Sequence, residues 1–113
     1  MADKIILVDT SILIDYFRKS DKSNSKLIAL IREGYKFQIS SVTEYEIFAG
    51  STLGQQKYWE EFLEKIKVIS FDQDAVKIAV EINSKLKPKS KQIAIADLFI
   101  AATAISIIFL LQH

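Results

Sequence analysis

Short unbroken apolar runs take turns along this chain with stretches in which apolar residues recur at helical spacing. Ile5 to Val8 is such a run, rich in β-branched residues and closed by Asp9. It predicts a strand buried on both faces, as in a parallel sheet. From Thr10 the spacing changes: Ile12, Leu13, Tyr16 and Phe17 recur as on one helix face, with Thr10 or Ser11 as the cap. Asp21 to Gly34 predicts a second helix that turns Leu27, Ile28, Leu30 and Ile31 inward and stops at the glycine. Lys36 to Ser40 reads as a second strand, and Ser41 to Ala49 as a short helix ending at Gly50. A further helix over Gln55 to Lys65 carries Tyr58, Trp59, Phe62 and Leu63 as its stripe. Lys67 to Phe71 predicts a third strand. Asp72 or Asp74 then caps a helix reaching Lys85, with Val76, Ala79, Val80 and Ile82 toward the core. The segment from Lys85 to Lys91 holds the only proline and predicts a loop, and an apolar helix follows from Ile93.

Strands alternating with helices in this order imply an α/β domain with a parallel sheet. The length of 113 residues suits one domain over residues 1–113. Half of the residues are hydrophobic, so a packed core is expected. Fifteen basic and fourteen acidic side chains leave a formal charge of +1, too little to hold nucleic acid by bulk charge. Nucleic-acid work would need a local patch or a bound cation. There is no cysteine, which excludes thiolate metal sites and a cysteine nucleophile and suits the cytoplasm. The single histidine is His113, so histidine triads are excluded as well. Only a short apolar run follows Asp3 and Lys4, unlike a signal peptide. Leu98 to Leu111 carries no charge but spans only about 14 residues, so a buried helix is expected rather than a membrane span. Carboxylate chemistry remains.

Three acids occupy positions that suit such chemistry. Asp9 directly follows a predicted strand, at the carboxyl edge where open parallel sheets bind ligands. Glu46 lies within an apolar helical segment, and Asp97 interrupts a long apolar one, where a lone charge is costly unless paired or metal-bound. Each has an ordinary alternative. Asp9 and Asp97 could merely cap the helices that follow, and Glu46 could face solvent. A group of acids without a cationic partner repels itself, and a divalent cation relieves that; hard oxygen ligands suit Mg²⁺ or Mn²⁺.

Taken together, the segments around these acids carry a family resemblance. Val8-Asp9-Thr10-Ser11-Ile12-Leu13-Ile14-Asp15 resembles the opening of PIN domains of the VapC toxin type. Ser41-Val42-Thr43-Glu44-Tyr45-Glu46-Ile47-Phe48-Ala49-Gly50 is similar to their second motif, and Ala96-Asp97-Leu98-Phe99-Ile100-Ala101-Ala102-Thr103 to their third. The resemblance covers essentially the whole chain. It implies a PIN-like, three-layer α/β/α fold with a central parallel sheet. It also implies a metal-dependent endoribonuclease, the toxin of a type II toxin–antitoxin pair, acting on single-stranded RNA or tRNA and restrained by a VapB-like antitoxin. By motif position Asp9, Glu46 and Asp97 would be the catalytic metal ligands. Thr10, Ser11 and Glu44 are candidates to support them, although the first two can also be caps and Glu44 points elsewhere. Lys85, Lys87, Lys89 and Lys91 are the only basic cluster, either a solvated loop or a set of contacts to RNA phosphates. Of the aromatic set Tyr45, Phe48, Tyr58, Trp59 and Phe62, most belong to the core by spacing; part could line an antitoxin groove.

The pattern breaks after the third motif. Family members continue through a turn, another buried strand and often a fourth acidic or asparagine position, whereas this chain reads Ile105 to His113 and stops. The expectation is a fold lacking its C-terminal strand, by an early stop or frameshift that the intact mass of the native gene product would test. An open apolar edge beside the first strand would follow, and with it a homodimer or larger assembly. The competing functional expectation is a catalytically weak or inactive PIN remnant that binds an antitoxin or dimerises. A metal-dependent DNase is a third.

Overall fold

A computed structural model of the chain describes residues 4–87 and 93–112, the side chains of 109–112 excepted. Strand β1 (Lys4–Leu7) leads into helix α1 (Thr10–Arg18), a 3₁₀ turn (Lys22–Asn24) and α2 (Lys26–Arg32). Strand β2 (Tyr35–Ser40) leads into α3 (Ser41–Ala49) and α4 (Leu53–Leu63). A two-residue strand β3 (Val68–Ile69) precedes α5 (Gln73–Leu86) and α6 (Ile95–Gln112). The three strands lie in the order β1-β2-β3 and all pair in parallel, Leu7 opposite Gln38 and Ser40 opposite Ile69.

Local chemistry sets most of the boundaries. Asp9, Ser25, Ser40, Thr52 and Asp72 each accept a backbone N–H with the side chain at a helix N-terminus. At α4, Thr52 and Gln55 form a reciprocal capping box. The helix expected over Asp21 to Gly34 is in fact two pieces, because Asp21 caps the 3₁₀ turn and Ser25 restarts the chain as α2. Gly34 then sits at φ 94°, a left-handed conformation that ends α2 and that a side chain would strain.

The core forms two clusters that enclose the sheet as an α/β/α arrangement. Leu13, Leu27, Ile39, Ile47, Trp59 and Leu63 gather α1 to α4 against the strands. Ala79, Leu98 and Ala102, with Phe71 and Phe99, join α5 to α6. The stripe predicted for α4 holds: Trp59 is 1% exposed, with Phe17, Tyr58 and Phe62 around it at ring separations of 5.3–5.5 Å.

Three expectations need correction. The first strand is not buried on both faces: β1 is an edge of the described sheet, and Ile5 is 44% exposed. Val76 and Val80 do not face the core of α5, because Ala75 and Ala79 do; small residues let α6 approach closely on that side. Tyr45 is 72% exposed on α3 and is not part of the aromatic core. Among the described residues, no strand follows α6 and no helix is long and apolar enough to cross a membrane.

Candidate active site

The parallel register brings the site together. With Leu7 opposite Gln38, both strands run out at the same edge, and α1 and α3 begin side by side at residues 10 and 41. Helix α3 touches both α1 and α6, which carries the third acid to the same place. The result is a cleft of about 380 Å³ lined by Asp9, Thr10, Ser11, Ile14, Glu46, Asp97 and Ile100. Three carboxylates from three separate elements thus line one depression, and none of its lining side chains is basic.

Each acid is held differently. Asp9 is the N-cap of α1, a role the sequence had offered to Thr10 or Ser11. Its Oδ1 accepts the Ile12 N–H at 3.1 Å and the Ser11 hydroxyl at 2.7 Å, leaving Oδ2 without a hydrogen bond among the described residues. Glu46 is half-buried; its Oε1 accepts the Thr10 hydroxyl at 2.6 Å, and Oε2 is likewise unbonded. Asp97 stands in the first turn of α6, exposed, so it is no buried charge, and its side chain takes no hydrogen bond among the described residues. Thr10 and Ser11 therefore each spend their hydroxyl on one of the three acids. Glu44 does not line the cleft; it lies in the first turn of α3, where negative charge suits the helix N-terminus.

The donors are hard oxygens of the class that Mg²⁺ and Mn²⁺ prefer. Among the described residues, however, no three acidic side chains close tightly enough to form a preassembled metal cluster. Like charges repel across the cleft, so a cation would have to draw the free oxygens inward. Lys85 and Lys87 are exposed at the end of α5 and do not line the cleft, while Lys89 and Lys91 lie outside the described residues.

Residues 6–108 match the PIN domain family. The chain belongs to that family, in its VapC-type group. Ribonuclease VapC1 of Methanocaldococcus jannaschii is 37% identical over 101 residues, covering 88% of this chain and 68% of that protein. Ribonuclease VapC3 of the same organism is 31% identical over 96 residues, 85% of this chain and 94% of its own length. Among solved structures, VapBC2 from Rickettsia felis bound to a DNA fragment from its promoter superposes with a TM-score of 0.75. It is 25% identical and covers 89% of this chain and 80% of that one. The PIN-like α/β fold expected from the three motifs is therefore the fold of the family.

Sequence reasoning reached the three acids but not the Thr10–Glu46 bond, because its partners lie 36 residues apart. It also gave no role to Asp15, the last residue of the first motif. That carboxylate accepts the Lys26 N–H at 3.0 Å and joins α1 to α2.

Proposed function

We propose that the protein is an endoribonuclease dependent on Mg²⁺ or Mn²⁺ and the toxin of a toxin–antitoxin pair, with Asp9, Glu46 and Asp97 as metal ligands. The observation that carries this reading is the convergence of these three carboxylates, from three elements, on one cleft without a basic lining residue. Likeness to two proteins named ribonucleases supports the reaction class, and likeness to a VapBC2 assembly supports a VapB-like partner. Single-stranded RNA or tRNA in the cytoplasm is the proposed substrate.

When bound, the cation supplies Lewis acidity, activating water for attack and neutralising charge on the phosphate. The chain's own residues prepare for this. Ser11 and the Ile12 N–H fix Asp9, and Thr10 fixes Glu46, so that one oxygen of each is oriented and the other is free to ligate. Asp97 keeps both oxygens free and is the group best placed to accept the proton of the attacking water. The lysines at 85, 87, 89 and 91 belong to this reading as outlying RNA contacts.

The test is Mn²⁺- and Mg²⁺-dependent cleavage of a labelled RNA, beside a DNA strand of the same sequence. Asp97→Asn is the control, because Asp97 is exposed and makes no side-chain hydrogen bond among the described residues. Cutting of RNA that needs the metal and vanishes in Asp97→Asn supports the nuclease. A second reading, an inactive module that binds an antitoxin or dimerises, draws on the separation of the three acids. Folded wild-type protein that cuts nothing in either metal would establish it. The homodimer itself is tested by light scattering at micromolar concentration, where a monodisperse monomer would rule it out.

A further inference from the structure

The acidic cleft does not end at the acids. Ser11 and Ile14 line it and also line a neighbouring trough of about 480 Å³, whose other walls are Asp15, Arg18, Lys19 and Lys26. The two depressions therefore adjoin at Ser11 and Ile14, and their charges are opposite: three acids in one, three basic side chains against one acid in the other. Arg18, Ile14 and Glu46 also line a third, smaller hollow, so Arg18 borders the site from a second side.

Ordinary structural duties do not use up these cations. Arg18 lies in the last turn of α1, where a cation would usually serve the helix carbonyls. Lys22 already does that, donating from Nζ to the carbonyls of Tyr16 and Phe17 at 3.0 and 3.1 Å. The Arg18 guanidinium has no hydrogen bond or ion pair among the described residues. Lys26 occupies the first position of α2, the positive end of the helix, where a cation is electrostatically unfavourable. Asp15 offsets this and is itself fully engaged, accepting the Lys26 N–H and pairing with Lys19 at 3.7 Å. Its carboxylate thereby holds α2 against α1; the Lys26 charge also feels Asp15 but forms no ion pair or side-chain hydrogen bond among the described residues, and Arg18 has no acidic partner there.

We infer that Arg18 and Lys26 form a phosphate-positioning groove for the single RNA strand that enters the acidic cleft. This rests on the nuclease reading and names the path its substrate takes. A polyanion approaching three carboxylates is repelled, and a chain with a net charge of +1 offers no bulk attraction to overcome it. Arg18 and Lys26, neither held in an ion pair among the described residues, supply that attraction locally. They hold phosphates neighbouring the scissile one, which the cation in the cleft neutralises. Such contacts fix the register of the strand without reading its bases.

The experiment measures fluorescence anisotropy of a labelled single-stranded oligoribonucleotide without divalent metal, over a series of KCl concentrations. Three proteins are compared: wild type, Arg18→Gln with Lys26→Gln, and a charge-matched control, Lys57→Gln with Lys65→Gln, both exposed, one on α4 and one in the turn after it. Glutamine keeps the side-chain stems, and thermal melts monitor folding. Removing two contacts should weaken binding about tenfold at low salt and flatten the slope of log affinity against log salt by about 1.4. In Mn²⁺-dependent cleavage the same variant should raise KM and leave kcat at saturation within about twofold. Equal affinity and slope in the groove variant and wild type would overturn the groove while leaving the nuclease standing. Equal losses in the groove variant and the control would overturn it too, as bulk charge alone. A wild-type protein that neither binds RNA nor cuts it with Mn²⁺ would remove the nuclease reading, and the groove with it.

Discussion

The hydroxyl of Thr10 donates to Oε1 of Glu46 at 2.6 Å, linking the first turn of α1 to the middle of α3. Glu46 is half-buried and forms no ion pair among the described residues, so this bond is what orients its carboxylate. Thr10→Val removes the donor while keeping the shape. Manganese affinity, read from the rise in melting temperature with added metal, should fall about tenfold to a hundredfold. Thr10→Ser retains the hydroxyl and should restore it to within about threefold. Unchanged metal affinity in Thr10→Val would remove Thr10 from the site.

Asp9 combines a structural duty with its proposed chemical one, and the two separate by substitution. Asp9→Ala loses the N-cap of α1 and should lower stability by about 1 kcal/mol. Asp9→Ser keeps a capping oxygen and should stay within a few tenths of a kcal/mol of wild type. Both lose the carboxylate, so both should abolish metal-dependent cleavage. Urea midpoints measured beside cleavage rates distinguish the roles; activity surviving in Asp9→Ser would show that Asp9 only caps.

What could be read from the sequence divides along physical lines. Helix α4 was legible because its stripe of Tyr58, Trp59, Phe62 and Leu63 is a local, periodic property, and Trp59 is indeed in the core. The burial of α5 was not. Val76 and Val80 look like core residues by hydrophobicity, yet Ala75 and Ala79 are the buried residues of α5, and it is the small Ala79 that packs with Leu98 and Ala102 of α6. The division at Ser25 was missed because capping competes with helix propagation, and periodicity does not register that competition. At the site, each acid had a signature in its own segment, whereas the pairing of Glu46 with Thr10 depends on the register of β1 against β2. That register is a tertiary fact. The basic trough was missed for the same reason: Arg18 and Lys26 lie in different helices, and only the 85–91 lysines form a run in sequence.

Trp59 is the largest fully buried side chain, packed against Phe17, Tyr58 and Phe62. Trp59→Ala should cost about 3–5 kcal/mol. That is a large share of the roughly 5–15 kcal/mol available to a domain of this kind. Urea unfolding should show a midpoint shifted far down or no cooperative transition. A loss below about 1 kcal/mol would mean that the aromatic cluster is looser than its ring contacts imply.

A cation that binds the folded chain and not the unfolded one stabilises it by mass action, by about 2.7 kcal/mol at a hundredfold excess over its dissociation constant. Manganese should therefore raise the melting temperature of wild type in a saturable way. Asp97→Asn should blunt the response, although Asp97 makes no side-chain hydrogen bond among the described residues. Identical responses in the two proteins would place the bound metal elsewhere.

The bond that ties α2 to α1 has its own signature in acid. The backbone N–H of Lys26, and secondarily the Lys19 ammonium, hold the Asp15 carboxyl below its ordinary value of 3.8. A carboxyl with a lower folded than unfolded pKa leaves the unfolded chain binding more protons as the pH falls. Its stabilising contribution is thus complete above about pH 5 and is lost as the pH drops through the folded value. Asp21, lowered mainly by the Ser23 hydroxyl and N–H, acts in the same window, so acid weakens both α1–α2 connections together. Asp15→Asn keeps an oxygen for the Lys26 N–H but has no charge to lose. Wild type should therefore be the more stable protein near neutral pH, and the difference should shrink as the pH falls below 3.8 in parallel urea titrations. A wild-type advantage that grew in acid would reverse the sign of the linkage and show that the carboxylate is not stabilised by its contact with α2.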